Sequence, residues 1–159
     1  EGTIKAFAVT PAKVWQYLLS KMGMMLFIGF LTGIGTTLLV ARLDVNYFYL
    51  ALLLIVTNAF GTAVGLFIAS FYDSIIKAMG AIYVVIITFA FATISYFVPS
   101  FSPFIIKILP SYPIIFAFRE VFLENPNISF IYYNIAGFGI LAVIFFIWAN
   151  NRFKKTLTV

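Results

Sequence analysis

Arg119, Glu120 and Glu124 are the one close grouping of ionisable side chains in this 159-residue sequence that could serve acid–base or headgroup chemistry. A lipid-processing transferase would need such a cluster at a membrane interface, but the spacing of these three fits a solvated helix face better. The chain has five acidic residues, scattered, and neither His nor Cys. A Ser/His/Asp arrangement is therefore excluded, and so are a thiolate nucleophile and a His/Cys metal site. No G-x-x-x-x-G-K-[ST] stretch is present to cradle nucleotide phosphates. The apolar stretches carry no carboxylate, Lys or Arg of the kind that marks proton-driven carriers, and no Arg series of the kind that senses voltage. What remains is a pair of weak polar handles in apolar surroundings, the hydroxyls of Thr88 and Ser95, and Asn58 at mid-membrane depth, a residue more often helix glue than a ligand contact.

The elements that position those handles are long and apolar. Hydrophobic residues make up 64% of the chain and charged residues 9%, against roughly 25% charged in an ordinary soluble domain. Four uncharged stretches, 22–41, 47–71, 78–98 and 130–149, each reach the roughly 20 residues needed for a helix to span the hydrocarbon core. The sequence thus predicts an all-α integral membrane protein with one transmembrane domain over 1–159 and no room for a soluble domain. An even number of crossings puts both ends on one face. If that face is the cytoplasm, Lys5, Lys13, Lys21, Lys77, Arg152, Lys154 and Lys155 lie inside, and Arg42, Lys107 and Arg119 lie outside. The positive-inside rule favours this orientation, in the cell (plasma) membrane with both ends cytoplasmic. The net charge of +5 is accounted for in the same way, without nucleic acid as a partner.

Small residues recur along each span. Gly29 and Gly33 are four apart on the first, and Asn58, Gly61, Gly65 and Ala69 form a stripe on the second. Both patterns suit helix packing in lipid, where close approach and interhelical hydrogen bonds hold spans together. Ala81, Val85, Thr88, Ala92 and Ser95 line one face of the third span. That stripe reads either as another packing surface or as the wall of a path for an amphipathic substrate.

The connecting segments differ in character. In 1–21, Thr10 and Pro11 suit an N-cap and first helical position. Val14, Trp15, Leu18, Leu19 and Met22 then recur at helical spacing. This pattern predicts an amphipathic helix at the cytoplasmic surface, serving as an interface helix or simply as a lead-in to the first span. Residues 99–129 are broken by five prolines yet stay apolar, which predicts two short re-entrant helices on the outer face, separated at Pro110–Pro113, with Arg119, Glu120 and Glu124 on the wet side. Asn127-Ile128-Ser129 matches a glycosylation acceptor, a tripeptide common by chance. Residues 150–159 form a short basic tail. The chain opens on Glu1 and reads as the C-terminal part of something longer.

Glu1-Gly2-Thr3, Val9-Thr10-Pro11 and Tyr17-Leu18-Leu19 with Lys21 resemble the cytoplasmic segment E-x-G-T, V-T-P, L-L-x-K of ABC type-2 permeases, the membrane subunits of ATP-driven exporters. Phe60 to Ser70 resembles that family's small-residue span, and Ala78-Met79-Gly80 the start of the next. Pro113 to Glu120 resembles the region ahead of its last span, with Tyr112-Pro113 where Asn-Pro is usual. The resemblance implies a non-catalytic permease, an ABC exporter subunit, with two further N-terminal spans in the full subunit. Residues 1–21, with Glu1, Gly2, Thr3, Thr10, Pro11, Lys13 and Trp15, would be the coupling helix docking on a separate ATPase subunit. That partner would bind ATP and Mg, and no cofactor would be bound by this chain. Lys13 and Lys21 would meet acids of the ATPase or anionic membrane lipids. The third span would line the path and the contact with a second permease copy. The outer segment with Pro110, Pro113, Arg119 and Glu120 would cap the exit. A membrane-embedded lipid-processing enzyme and an accessory membrane assembly protein remain the competing readings of the sequence.

Overall fold

The computed structural model describes residues 13–41, 45–72, 74–98, 100–101 and 103–157. Every element among them is helical: α1 Val14–Ala41, α2 Tyr47–Ala69, α3 Ile75–Phe97, α4 Phe104–Ile108, α5 Ser111–Val121 and α6 Ile128–Leu157. The helices α1, α2, α3 and α6 are long and apolar enough to cross a bilayer. Their outward faces carry large apolar side chains, such as Leu39 and Ile76, that water would not tolerate in such numbers but lipid does.

The first helix departs from the expected division into a surface helix and a separate span. Gln16 reaches back to the Lys13 N–H at 2.9 Å, the reciprocal half of a capping box. The helix therefore opens at Val14, past the expected start at Pro11, and runs unbroken through Met22 to Ala41. At 1.5 Å per residue its 28 residues reach about 42 Å, more than the roughly 30 Å of a hydrocarbon core. The 30 residues of α6 overshoot similarly. Thr10 and Pro11, with Glu1, Gly2 and Thr3, lie outside the described residues.

Helix α2 is the hub. Asn46 caps it, its side chain accepting from the Phe48 N–H at 3.2 Å and the Tyr49 N–H at 3.4 Å. It packs most extensively on α6, then on α1, and also touches α3 and α5. Near the α1–α2 turn, Val45, Leu50 and Leu53 bury against Ala117 and Val121 of α5 and Ile131 of α6. Deeper in, Phe60 packs on Phe138 and Ala142. An aromatic ladder continues toward the opposite end: Phe60 meets Phe138 at 5.0 Å, Phe67 meets Phe145 at 5.5 Å and Trp148 at 5.6 Å, and Phe71 meets Phe67 at 5.0 Å. The Arg152 guanidinium closes the ladder, 4.3 Å from the Phe71 ring centroid.

Two short helices do stand between α3 and α6, but they part at Leu109–Pro110 rather than across Pro110–Pro113. A residue before proline is pushed out of the α region, and Leu109 is extended, at φ −61° and ψ 134°. Pro113 sits inside the first turn of α5, where a missing N–H costs nothing because those amides have no intrahelical acceptor. Helix α5 turns Ser111, Ala117 and Val121 inward and is anchored on α3, α2 and α6.

Candidate functional site

The α1–α2 contact is built by glycine. A Cβ placed on Gly29 would lie 2.6 Å from Asn58 Oδ1, and one on Gly33 would lie 2.6 Å from Leu54 Cδ2. Both glycines let the second span approach the first closely. Asn58 rests directly on the Gly29 backbone.

Gly61 and Gly65 behave differently. No described atom comes within 4 Å of a Cβ at either position. Together with Ala69 they form one wall of a cavity of about 590 Å³ at the Tyr17 end of the α1–α2 seam. Tyr17, Lys21 and Met25 supply the facing wall, and Phe153 from the end of α6 closes one side. Thr57, Asn58 and Thr62 add polar atoms to an otherwise apolar lining. The Lys21 ammonium stands at the rim, 5.7 Å from the Tyr17 ring centroid.

A second cavity of about 400 Å³ lies further along the same seam. Thr32, Thr36 and Thr37 line it on α1, Leu50 and Leu54 on α2, and Phe118 and Phe122 roof it from the end of α5. Asn58 borders this cavity as well as the inner one.

The hydrogen bonding of the polar span residues sorts them. Thr32, Thr36, Thr37, Thr57 and Thr88 each donate to a backbone carbonyl three or four residues back, the usual resting state of a hydroxyl in an apolar helix. Asn134 likewise donates to the Phe130 carbonyl at 2.8 Å. The Asn58 carboxamide and the Thr62 hydroxyl bond to no described residue, and both face the inner cavity. A carboxamide has two N–H donors and two acceptor sites, and leaving them unused in an apolar setting is costly. Asn58 therefore has hydrogen-bonding capacity to offer within the seam.

The stripe on α3 is brought together only in part. Ala92 is wholly buried and Ser95 is 2% exposed. Ser95 Oγ donates to the Phe101 carbonyl at 2.9 Å, so its hydroxyl pins the segment after α3 and faces no opening. Ala81 and Val85 are half-buried, and Thr88 is exposed. On the outer side, Arg119 is exposed with its guanidinium 6.0 Å from the Phe116 ring centroid, while Glu120 accepts the Asn127 N–H at 2.8 Å. Asn127 Oδ1 in turn accepts the Phe130 N–H at 3.1 Å as the cap of α6. The potential glycosylation residue is thus engaged in holding a helix end. On the inner side, Lys13 and Trp15 are exposed at the start of α1. Among the described residues, no three His, Cys, Asp or Glu side chains gather to hold a metal ion.

Leu54, Met25 and Phe153 carried no signal as single residues. The α1–α2 partners were readable in another way. Gly29 and Asn58 stand at nearly equal distances along the chain from the Arg42–Asn46 turn, and so do Gly33 and Leu54. A tight antiparallel turn brings such pairs face to face.

The family described as "Fluoroquinolones export permease protein Rv2686c-like" matches the chain over residues 1–149. No curated protein and no solved structure matches it.

Proposed function

Because the chain belongs to the Rv2686c-like fluoroquinolones export permease family and is therefore a multi-pass transport component, we propose that it is the permease subunit of an ATP-driven exporter, working with a separate ATPase subunit and a second permease copy in the cell membrane. The match over residues 1–149 carries this reading, because it takes in the lead-in segment as well as the four spans. ATP and Mg are bound by the partner, and this chain contributes no catalytic group. The basic ends of α1 and α6, with Lys13, Lys21, Arg152, Lys154 and Lys155, face the cytoplasm, in keeping with the positive-inside rule.

In this reading residues 1–21 dock on the ATPase, with Glu1, Gly2, Thr3, Thr10, Pro11, Lys13 and Trp15 at the contact. The exposure of Lys13 and Trp15 supports such a role. The inner face of α3 at Ala81, Val85 and Thr88 meets the second permease copy, and the α4–α5 segment, from Pro110 and Pro113 to Arg119 and Glu120, covers the exit. The substrate is a fluoroquinolone or a compound of that kind: a flat aromatic system carrying a carboxylate.

Membrane vesicles holding the permease and the ATPase encoded beside it provide the test. ATP-dependent fluoroquinolone uptake into inverted vesicles is expected. Replacement of Thr10, Pro11 or Trp15 by Ala should abolish drug stimulation of the ATPase while the permease still inserts. Uptake that persists when the permease is omitted would overturn the assignment.

A further inference from the structure

We propose that the α1–α2 seam is a two-chambered route for a planar amphipathic carboxylate, reached from the inner leaflet beside Lys21 and closed at mid-membrane by Asn58 lying on Gly29. The proposal rests on the permease reading and names the route within it.

Four observations converge. Both cavities are lined by Asn58, whose carboxamide lies against Gly29 where α1 and α2 approach each other. Their volumes of about 590 and 400 Å³ fall within the roughly 300–1,000 Å³ typical of small-molecule sites. The inner chamber has a cation and two aromatic rings at its rim, Lys21, Tyr17 and Phe153, which complement a carboxylate on a flat ring system. Its floor holds the Asn58 carboxamide and the Thr62 hydroxyl, neither bonded to a described residue. An acyl chain has no heteroatom to offer those groups, whereas the keto-acid edge of a quinolone accepts and its ring amine donates. The drug's own contacts draw the Asn58 side chain off Gly29 and open the way to the threonine-lined outer chamber under Phe118 and Phe122. Gly61 and Gly65 keep the inner chamber open by having no side chain to fill it.

The absence of native cysteine makes the test direct. Single reporters, Thr62→Cys for the inner chamber, Thr36→Cys for the outer and Ala81→Cys for the α3 stripe, are placed in the full permease with its ATPase in inverted vesicles. Each is labelled with a small methanethiosulfonate, with and without ciprofloxacin. The drug should slow labelling of Thr62→Cys at least fivefold and leave Ala81→Cys unchanged. Lys21→Gln should raise the drug concentration needed for protection about tenfold. Asn58→Leu, which removes the carboxamide from the inner floor, should weaken protection of Thr62→Cys and lower uptake at least tenfold. Should Asn58→Leu fail to insert, Asn58→Ser should instead speed labelling of Thr36→Cys from the inner side. Protection at Ala81→Cys alone, with uptake intact, would overturn the route and leave the permease reading standing. No protection of Thr62→Cys together with no uptake by the unmodified protein would overturn the permease reading. Blocking of Thr62→Cys by phosphatidylglycerol without any effect of drug would make the chamber a lipid groove. A disulfide between two copies through Gly61→Cys would make it a dimer contact. Either result overturns the route.

Discussion

Glu120 and Asn127 lock the turn between α5 and α6. Glu120 Oε2 accepts the Asn127 N–H at 2.8 Å, and Asn127 uses its own side chain to cap Phe130. One carboxylate therefore orders both the end of the outer segment and the start of the last span. Glu120→Ala should lower the stability of the detergent-purified chain by about 1.5 kcal/mol, the low end for a hydrogen bond to a charged group because this one is open to solvent. Glu120→Gln, which keeps an acceptor, should lose less. Thermal unfolding of the two variants checks the order; equal losses would mean that the bond contributes nothing.

Gly33 should be far less tolerant of a methyl group than Gly61 or Gly65. Gly33→Ala drives a Cβ to 2.6 Å from Leu54 Cδ2, and overpacking of this kind costs about 1–3 kcal/mol. Leu54→Ala in the same chain should recover part of that loss by making room. Gly61→Ala and Gly65→Ala meet nothing within 4 Å and should be neutral or gain about 0.5–1 kcal/mol from helix propensity. Unfolding measured across the four variants reads the pattern.

The aromatic ladder predicts a spectroscopic change. Trp148 lies 5.6 Å from both Phe67 and Phe145. With Trp15→Phe leaving Trp148 as the one indole of the two in the chain, Phe67→Ala should alter its emission maximum and raise quenching by acrylamide. Phe71→Leu should do so less, since Phe71 does not touch Trp148 itself but meets Phe67 at 5.0 Å and the Arg152 guanidinium, the latter worth about 0.5–2 kcal/mol. An unchanged spectrum in Phe67→Ala would show that the rings do not pack as described.

Ser95→Ala should cost about 1 kcal/mol of stability through the lost bond to the Phe101 carbonyl, and leave drug affinity untouched. A selective change in drug affinity at equal stability would restore Ser95 to the substrate path.

The membrane spans were legible because hydropathy over 20 residues is a strong local signal. Their inner limit was harder to read. Trp15, Leu18 and Met22 already shared a helical spacing, but the change from amphipathic to apolar sequence suggested two helices where the backbone makes one. The split at Leu109–Pro110 came down to which of two prolines ends a helix and which is absorbed into a first turn, a matter of phase that composition does not carry. The small-residue stripes were visible, yet stripes look alike whether a neighbour fills them or not. Gly29 and Gly33 are filled, Gly61 and Gly65 are open, and the difference lies entirely on the opposing helix. Ser95 was misleading for a similar reason: its acceptor is six residues further on, beyond the end of its own helix.

The unbroken course of α1 from Val14 to Ala41 leaves no hinge between the exposed indole of Trp15 and the glycine on which Asn58 rests. A lever with no joint transmits torque. Under the proposed docking, a twist applied at the Trp15 end would reach Gly29, fourteen residues and about four helical turns away, through the stiffness of one rod.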